Sequence, residues 1–201
     1  MNKINKDTYC EEYYTSGNYS NYLNKAQRYT KFASEITNFL ISIGIDNKES
    51  KILDFGCAVG FLLDGLKNCG YKNIYGFDIS DWAINITSNK HQILSYNECD
   101  SKKFDVTFAL DVLEHMTDYE IDDFFNKIDT KILIFRIPVS NNGGKSYVLD
   151  ISNNDITHIN CKEKKDWISI LKAKNFIFYL PLNLSSIYDT EGVFCGMAFK
   201  E

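Results

Sequence analysis

The sequence predicts an α/β fold: a doubly wound, mostly parallel sheet of seven strands with an antiparallel last strand, preceded by an N-terminal helical extension. Three observations carry this. Between positions 51 and 171, short apolar runs of strand length alternate with stretches of helical periodicity, the pattern of parallel strands joined by crossover helices. Gly56 and Gly60 stand between the first such strand and its helix, as a tight turn requires. No helical pattern separates the last two apolar runs, so the final strand turns back antiparallel.

Residues 1–20 are polar and rich in tyrosine (Tyr9, Tyr13, Tyr14, Tyr19) and read as an arm or short helical lid. From Tyr22 to Ile43, apolar residues including Phe32, Ile36 and Leu40 recur at helical spacing, which predicts a long amphipathic helix ended by Gly44. Residues 46–50 are a polar link to the first strand, which Ile52, Leu53 and Phe55 build. Phe61, Leu62, Leu63 and Leu66 form the next helix, ending near Asn68 with Gly70 as a left-handed cap. Residues 72–78 make the second strand, and Ser80 caps a helix with Trp82, Ala83 and Ile86. Residues 92–95 are a weak third strand, followed by a polar loop through Lys103, and 104–110 are a strong fourth. Thr117 and Glu120 form a capping box before a helix with Ile121, Phe124, Phe125 and Ile128, and residues 132–137 are a fifth strand closed by Pro138. A long polar loop fills 139–158, and such loops are often functional. Asn160 and Glu163 open a helix through Trp167, Ile168 and Leu171, and 176–180 and 193–199 are the last strands. No linker or repeat divides the chain. It reads as one domain, 1–201, with arm and helix at 1–45 and the core at 46–201.

The chemistry starts at residues 51–66, Lys-Ile-Leu-Asp-Phe-Gly-Cys-Ala-Val-Gly-Phe-Leu-Leu-Asp-Gly-Leu. Gly56 and Gly60 let the backbone turn and a ligand approach, with the turn's amides facing that ligand. A dinucleotide fingerprint needs G-x-G-x-x-G, but Ala58 and Phe61 occupy the second and third glycine positions. A phosphate-binding loop needs Gly-Lys-Ser/Thr, which is absent. The glycine spacing thus argues against an NAD-dependent oxidoreductase. Asp54, at the strand end, suits a cationic group better than a pyrophosphate. Asp78 ends the second strand about twenty residues on, where nucleotide-binding α/β folds place an acid that accepts from ribose hydroxyls. The competing reading is an acid that answers a helix dipole. Strand carboxyl ends converge on the ligand crevice, so Asp54 and Asp78 should lie near one another. Ile79 packs either on an adenine or into the core.

A net charge of −5 without a basic stripe makes nucleic acid a poor partner. The run Lys162-Glu163-Lys164-Lys165 is the solvated face of a helix start. Cys10, Cys57, Cys69, Cys99, Cys161 and Cys195 are scattered with no C-x-x-C pair, so neither zinc nor a redox couple is indicated and no metal is expected. A chain of this size does not need disulfide staples, which points to free thiols in a reducing compartment. The first fourteen residues hold no apolar stretch of signal-peptide length, and no run is long enough to span a bilayer. The expectation is a soluble cytoplasmic protein, monomer or homodimer.

The pattern Asp-x-Gly-x-Ala-x-Gly at positions 54–60 resembles the first motif of the class I S-adenosylmethionine (SAM)-dependent methyltransferases, D/E-x-G-x-G-x-G, with Ala58 replacing the middle glycine. Residues 104–116, Phe-Asp-Val-Thr-Phe-Ala-Leu-Asp-Val-Leu-Glu-His-Met, resemble the fourth-strand motif of the small-molecule group that includes ubiquinone-biosynthesis and sugar methyltransferases. Asp155-Ile-Thr-His158 is similar to the D-x-T-H segment before the penultimate helix in many of these enzymes. The resemblance implies a Rossmann-like fold, SAM as cofactor with S-adenosylhomocysteine as product, and methyl transfer to an O or N atom of a small molecule such as a sugar or phenol. By the same resemblance, Asp54, Phe55, Gly56, Cys57, Gly60, Phe61, Asp78 and Ile79 hold the cofactor. Leu110 and Asp111 border its methionine end, His115 faces the acceptor, and His158 lines the acceptor pocket. Tyr13 and Tyr14 either lid the site or lie on a tyrosine-rich surface helix. Glu114 either serves the site or makes a structural hydrogen bond. Ala58 is a small steric change at negative φ and a strained one at positive φ.

A sulfonium methyl is already activated, so the protein mainly binds, aligns and desolvates the partners. An oxygen nucleophile often needs a base, for which His115 and His158 are the candidates. The alternative is a non-catalytic methyltransferase-fold regulator or partner subunit that binds SAM or a related nucleoside.

Overall fold

The computed structural model describes residues 6–45 and 47–200. The first five positions of the expected arm, and Asp46 of the expected link, lie outside the described residues. Strands β1 (Lys51–Phe55), β2 (Asn73–Phe77), β3 (Gln92–Ile93), β4 (Lys103–Leu110), β5 (Asp129–Pro138), β6 (Phe176–Pro181) and β7 (Val193–Lys200) form a mixed sheet in the order β3-β2-β1-β4-β5-β7-β6. The expected fold class holds. The pairs β1/β2, β2/β3 and β4/β5 are parallel, and β7 runs antiparallel to both β5 and β6. Contacts divide the chain into two compact units, Met1–Cys99 with Leu184–Ser186, and Asp100–Asn183 with Ile187–Glu201.

In the first unit, the arm forms a short helix, α1 (Glu11–Thr15), and α2 (Ala26–Ser42) follows. The helix α2 begins later than the periodicity suggests, because Tyr22–Asn24 form a separate 3-10 turn. A turn with three residues per repeat keeps nearly the same face inward, so the pattern cannot tell the two apart. Phe32, Ala33, Ile36 and Leu40 are buried along α2, and Leu62, Leu63 and Leu66 along α3 (Phe61–Asn68). These helices approach closely at Gly65, where a Cβ would lie 2.7 Å from the Cβ of Ala33 and 3.2 Å from the Tyr29 carbonyl oxygen. Ser80 caps α4 (Asp81–Thr87) as expected, its hydroxyl accepting from the Ala83 amide. The third strand is shorter than expected, and the polar loop after it is a helix, α5 (Tyr96–Asp100). Ser95 causes this: its amide and hydroxyl donate to the Glu98 carboxylate at 2.8 and 2.7 Å, a local cap that turns the chain.

In the second unit, the Thr117–Glu120 capping box opens α6 (Asp118–Lys127) as predicted. The fifth strand starts earlier than its apolar run, because Asp129 and Thr130 already pair with Lys103 and Phe104. The long polar loop contains one helical turn, α7 (Asp150–Asn153). Asn160 does not open the last helix, α8 (Lys164–Ala173). Its Nδ2 donates to the Met116 carbonyl oxygen at 2.9 Å and to Asp118 at 3.0 Å, while Glu163 and Asp166 form the capping box. Phe104, Phe108, Phe124, Phe135, Trp167 and Phe194 are almost wholly buried and form the core here. All six cysteines are free thiols. No helix among the described residues is long and apolar enough to cross a membrane.

Candidate active site

In the first unit, the turn after β1 carries three positive φ angles: 82° at Gly56, 46° at Ala58 and 83° at Gly60. Gly60 also has no room for a side chain, since a Cβ would meet the Thr87 methyl at 2.7 Å. Ala58 therefore occupies the strained alternative, at a cost of about 1–2 kcal/mol for an L-residue. Its surroundings over-determine it. Its amide donates to Asp78 Oδ2 at 2.8 Å, and its carbonyl accepts from the Thr87 hydroxyl at 2.8 Å. The turn's amides do not all face outward as the sequence implied. Those of Gly56 and Cys57 donate to the Phe77 carbonyl at 2.7 and 2.9 Å, and that of Gly60 to the Cys57 carbonyl at 2.9 Å.

Asp54 and Asp78 come together as predicted, both buried. Burial first, and then the negative charge of Asp78, push the Asp54 carboxyl up to about 8. Asp78 is also raised by burial, against the pull of the Ser80, Ala58 and Ile79 amides. Cys57, beside both acids, is raised far above the ordinary thiol range, chiefly by burial, so it is no nucleophile. Phe55 is buried and stacks on Phe77 at 4.6 Å, and Phe61 packs on Tyr22 and Tyr29. Ile79 is 47% exposed, which removes the core-packing reading for it.

The arm packs against this turn. Tyr9, Tyr14 and Tyr22 are buried in one cluster with Ala58, Val59 and Ala83, and Tyr13 lies partly buried on it. Tyr14 stacks on Trp82 at 5.2 Å, and burial together with the nearby Asp78 charge raises its phenol well above the ordinary range. The Ser80 hydroxyl donates to the Tyr9 carbonyl, tying the arm to the helix cap. These tyrosines are thus not a free surface helix.

In the second unit, Leu110 ends β4 and Asp111 follows with φ 55°, its amide donating to the Arg136 carbonyl at 2.8 Å and its carboxylate paired with the Arg136 guanidinium. The 3-10 turn Leu113–His115 sets Glu114 and His115. The Glu114 carbonyl accepts from the amides of Ile159 and Asn160, each at 3.0 Å, which clamps this turn to the D-x-T-H segment. His115 and His158 consequently stack edge-to-face with centroids 4.6 Å apart. His115 Nδ1 donates to the Thr157 carbonyl at 3.1 Å, and His158 Nδ1 to the Ser152 carbonyl at 3.0 Å. His158 Nε2 lies 3.6 Å from Asp155 Oδ2 and 3.9 Å from Glu114 Oε1. Burial, then the neighbouring His158, lower His115 to about 4, and burial lowers His158, so both rings are neutral at pH 7. Glu114 is wholly buried, its carboxylate oxygens meet no hydrogen-bond partner, and burial raises it far above the ordinary range. One ligating atom each from Glu114, His115 and His158 lies within 4.8 Å of the others.

Sequence reasoning missed Thr87 and Tyr147. Neither belongs to a motif, and Tyr147 enters only because the polar loop folds its ring to 5.4 Å from His158.

A family model described as "Methyltransferase domain" matches residues 24–176. The chain belongs to the methyltransferase-domain family. This methyltransferase-family chain is 32% identical over 168 residues to the ubiquinone biosynthesis O-methyltransferase of Pelagibacter ubique (strain HTCC1062), covering 73% of the chain and 65% of that protein. It thus spans just under two thirds of that relative's length. Among solved structures, magnesium protoporphyrin IX methyltransferase from Synechocystis PCC 6803 with bound SAM aligns with TM-score 0.62 and 18% identity over 98% of both chains. A SAM-dependent methyltransferase from Archaeoglobus fulgidus aligns with TM-score 0.60 and 15% identity, over 84% of this chain and 94% of that one. At such identities the structural likeness is one of fold.

Proposed function

We propose that this chain is a SAM-dependent methyltransferase that moves a methyl group to an oxygen or nitrogen atom of a small-molecule acceptor, with S-adenosylhomocysteine as product. The observation that carries this is the pair of buried acids around a left-handed turn. Asp54 is held up to about 8 by burial and by Asp78, so a ligand bearing positive charge gains by ionising it. That fits a sulfonium cofactor with an ammonium group, and not a pyrophosphate. Asp78 Oδ2 accepts the Ala58 amide and Oδ1 the Ser80 amide, and its two oxygens carry about four acceptor sites in all, which leaves capacity for a ribose hydroxyl.

Bound there, the cofactor supplies a methyl group already activated by its positive sulfur. In the first unit, the chain's part is to hold the cofactor with Asp54, Asp78 and the turn and to keep water out with Tyr13 and Tyr14; the motif resemblance assigns the methionine end to Leu110 and Asp111. His115 and His158, both uncharged at pH 7, can accept a proton from an acceptor hydroxyl. His158 is the better placed, since an imidazolium there would face Asp155 Oδ2 at 3.6 Å. The Pelagibacter relative, named an O-methyltransferase, favours an oxygen acceptor such as a phenol.

Calorimetric titration with SAM and S-adenosylhomocysteine tests this, beside Asp78→Asn, which keeps the side chain's shape. Saturable binding, weakened at least tenfold in the variant, is expected. No binding of either ligand to the folded protein would defeat the proposal. Binding without turnover over a panel of phenols, sugars and amines would favour the non-catalytic regulator.

A further inference from the structure

Asn142 and Gly143 are the only Asn-Gly pair in the sequence and lie exposed in the long polar loop of the second unit. An asparagine before glycine is prone to lose its side-chain amide, because the following backbone nitrogen reaches Cγ when no Cβ shields it. Gly143 sits at φ 78°, where a side chain would be strained, and a Cβ built on it would meet nothing within 4 Å. The pair is not merely exposed. Its reacting atoms are all held by neighbours. The Gly143 amide donates to Glu163 Oε1 at 2.7 Å. Asn142 Oδ1 accepts the Ser140 hydroxyl at 2.8 Å and the Lys145 and Ser146 amides at 3.1 and 3.2 Å, and Nδ2 donates to Ser146 Oγ at 2.8 Å.

We propose that Asn142 is a self-modification site, at which the folded loop promotes loss of the side-chain amide and leaves aspartate or isoaspartate. The Gly143 nitrogen forms a bond to Asn142 Cγ while its proton passes to Glu163. The Cγ–Nδ2 bond then breaks, and Nδ2 takes up that proton and departs as ammonia. Water opens the resulting cyclic imide. Opening at the Cγ carbonyl gives aspartate, and opening at the backbone carbonyl gives isoaspartate. No oxidant or reductant enters, and water is the one co-reactant.

The roles follow from position. Glu163 Oε2 pairs with Lys165, which leaves Oε1 to the Gly143 N–H. Lys165 and the Gly143 amide hold the Glu163 carboxyl below the usual range, so it is ionised at neutral pH. A carboxylate is a weak base in water, but a base fixed within hydrogen-bond distance of the proton it moves contributes about 10²–10⁴-fold. The Ser140, Lys145 and Ser146 donors face the oxygen on which negative charge develops as Cγ becomes tetrahedral, the arrangement of an oxyanion hole. Aspartate at 142 would place a carboxylate oxygen where Nδ2 now donates to Ser146, and isoaspartate would lengthen the backbone. Ser146 precedes Tyr147, whose ring lies 5.4 Å from His158, so either product disturbs the loop beside that histidine.

The full chain, native or unfolded in guanidinium chloride, is incubated at neutral pH in water enriched in the heavy oxygen isotope, then digested and mapped by mass spectrometry. The label marks only hydrolysis that occurs during incubation. The native chain should convert Asn142 at least about tenfold faster than the unfolded chain, while Asn141, which precedes an asparagine, acquires no label. A native rate equal to or below the unfolded one would overturn the proposal, since the fold would then be protecting the pair. This comparison needs no variant.

The pH profile provides the second readout. Unassisted cyclisation depends on hydroxide and speeds about tenfold per pH unit, whereas a route through ionised Glu163 should be nearly flat between about pH 5 and about pH 7. Glu163→Gln keeps an acceptor oxygen for the Gly143 amide but removes the base. It should slow conversion at least about tenfold and restore the steep profile. A steep profile in the native chain, or an unchanged rate in the variant, would remove Glu163 from the reaction and sink the idea. Neither readout involves SAM or turnover, so failure here leaves the methyltransferase reading standing.

Discussion

Asp78 holds the amide of Ala58: its Oδ2 accepts that N–H at 2.8 Å, while Oδ1 accepts the Ser80 amide at 2.8 Å. The acid at the end of the second strand is therefore a strut for the glycine turn as well as a candidate ligand for a ribose. Ala58, at φ 46°, is the residue that needs the strut.

Replacing Ala58 with glycine relieves the left-handed strain but adds freedom to the unfolded chain. A net gain of up to about 1 kcal/mol is expected, read from denaturant midpoints at constant slope. A loss of stability would show that the alanine methyl, buried against the tyrosine arm, matters more than the strain.

Thr87 is the second support. Its hydroxyl donates to the carbonyls of Ala58 and Ala83, both at 2.8 Å. Thr87→Val removes the hydroxyl at nearly constant shape and should cost about 1–2 kcal/mol. In a double-mutant cycle with Ala58→Gly, the loss should shrink, because a relaxed turn needs less pinning. Strict additivity would mean that Thr87 supports only its own helix.

The acid pair predicts a pH dependence. Asp54 holds its proton more tightly folded than unfolded, so its contribution to the ligand-free fold is full at low pH and is lost as pH rises through about 8. His115 works in the opposite sense. Held down to about 4, it contributes stability above 6.5 that is lost as pH falls toward 4. Chemical denaturation from pH 6.5 to 8 should therefore show declining stability, with a shallower decline in Asp54→Asn. Affinity for SAM should rise over the same window as Asp54 ionises. Identical slopes for variant and wild type would refute the raised acid.

The arm offers a fluorescence test. Tyr14 is 6% exposed and stacks on Trp82, one of two tryptophans in the chain. Tyr14→Ala should weaken arm docking by about 3 kcal/mol, shift Trp82 emission to the red and speed proteolysis within residues 6–24. Unchanged emission would mean that the arm rests on its other tyrosines.

Much of this protein was legible in local pattern. Alternating apolar runs, the capping pairs Ser80–Ala83 and Thr117–Glu120, and acids at the ends of two strands are short-range features. Their physics acts within a few residues, so reading them in order is enough to name the fold and to place Asp54 beside Asp78. Even there, local competition hid the Ser95–Glu98 cap that turns an expected loop into a helix, and Asn160 read as a helix start although its amide serves a distant carbonyl. Other features exist only through contacts between remote segments. His115 and His158 meet because the Glu114 carbonyl captures two amides more than forty positions later. Ala58 could be judged strained only once its φ was known, and Thr87 and Tyr147 only once folding carried them to the turn and the histidines. Periodicity and motif spacing determine which faces are buried and which residues end each strand. What a buried carboxylate, imidazole or hydroxyl finds opposite it is decided by the packing of the chain on itself.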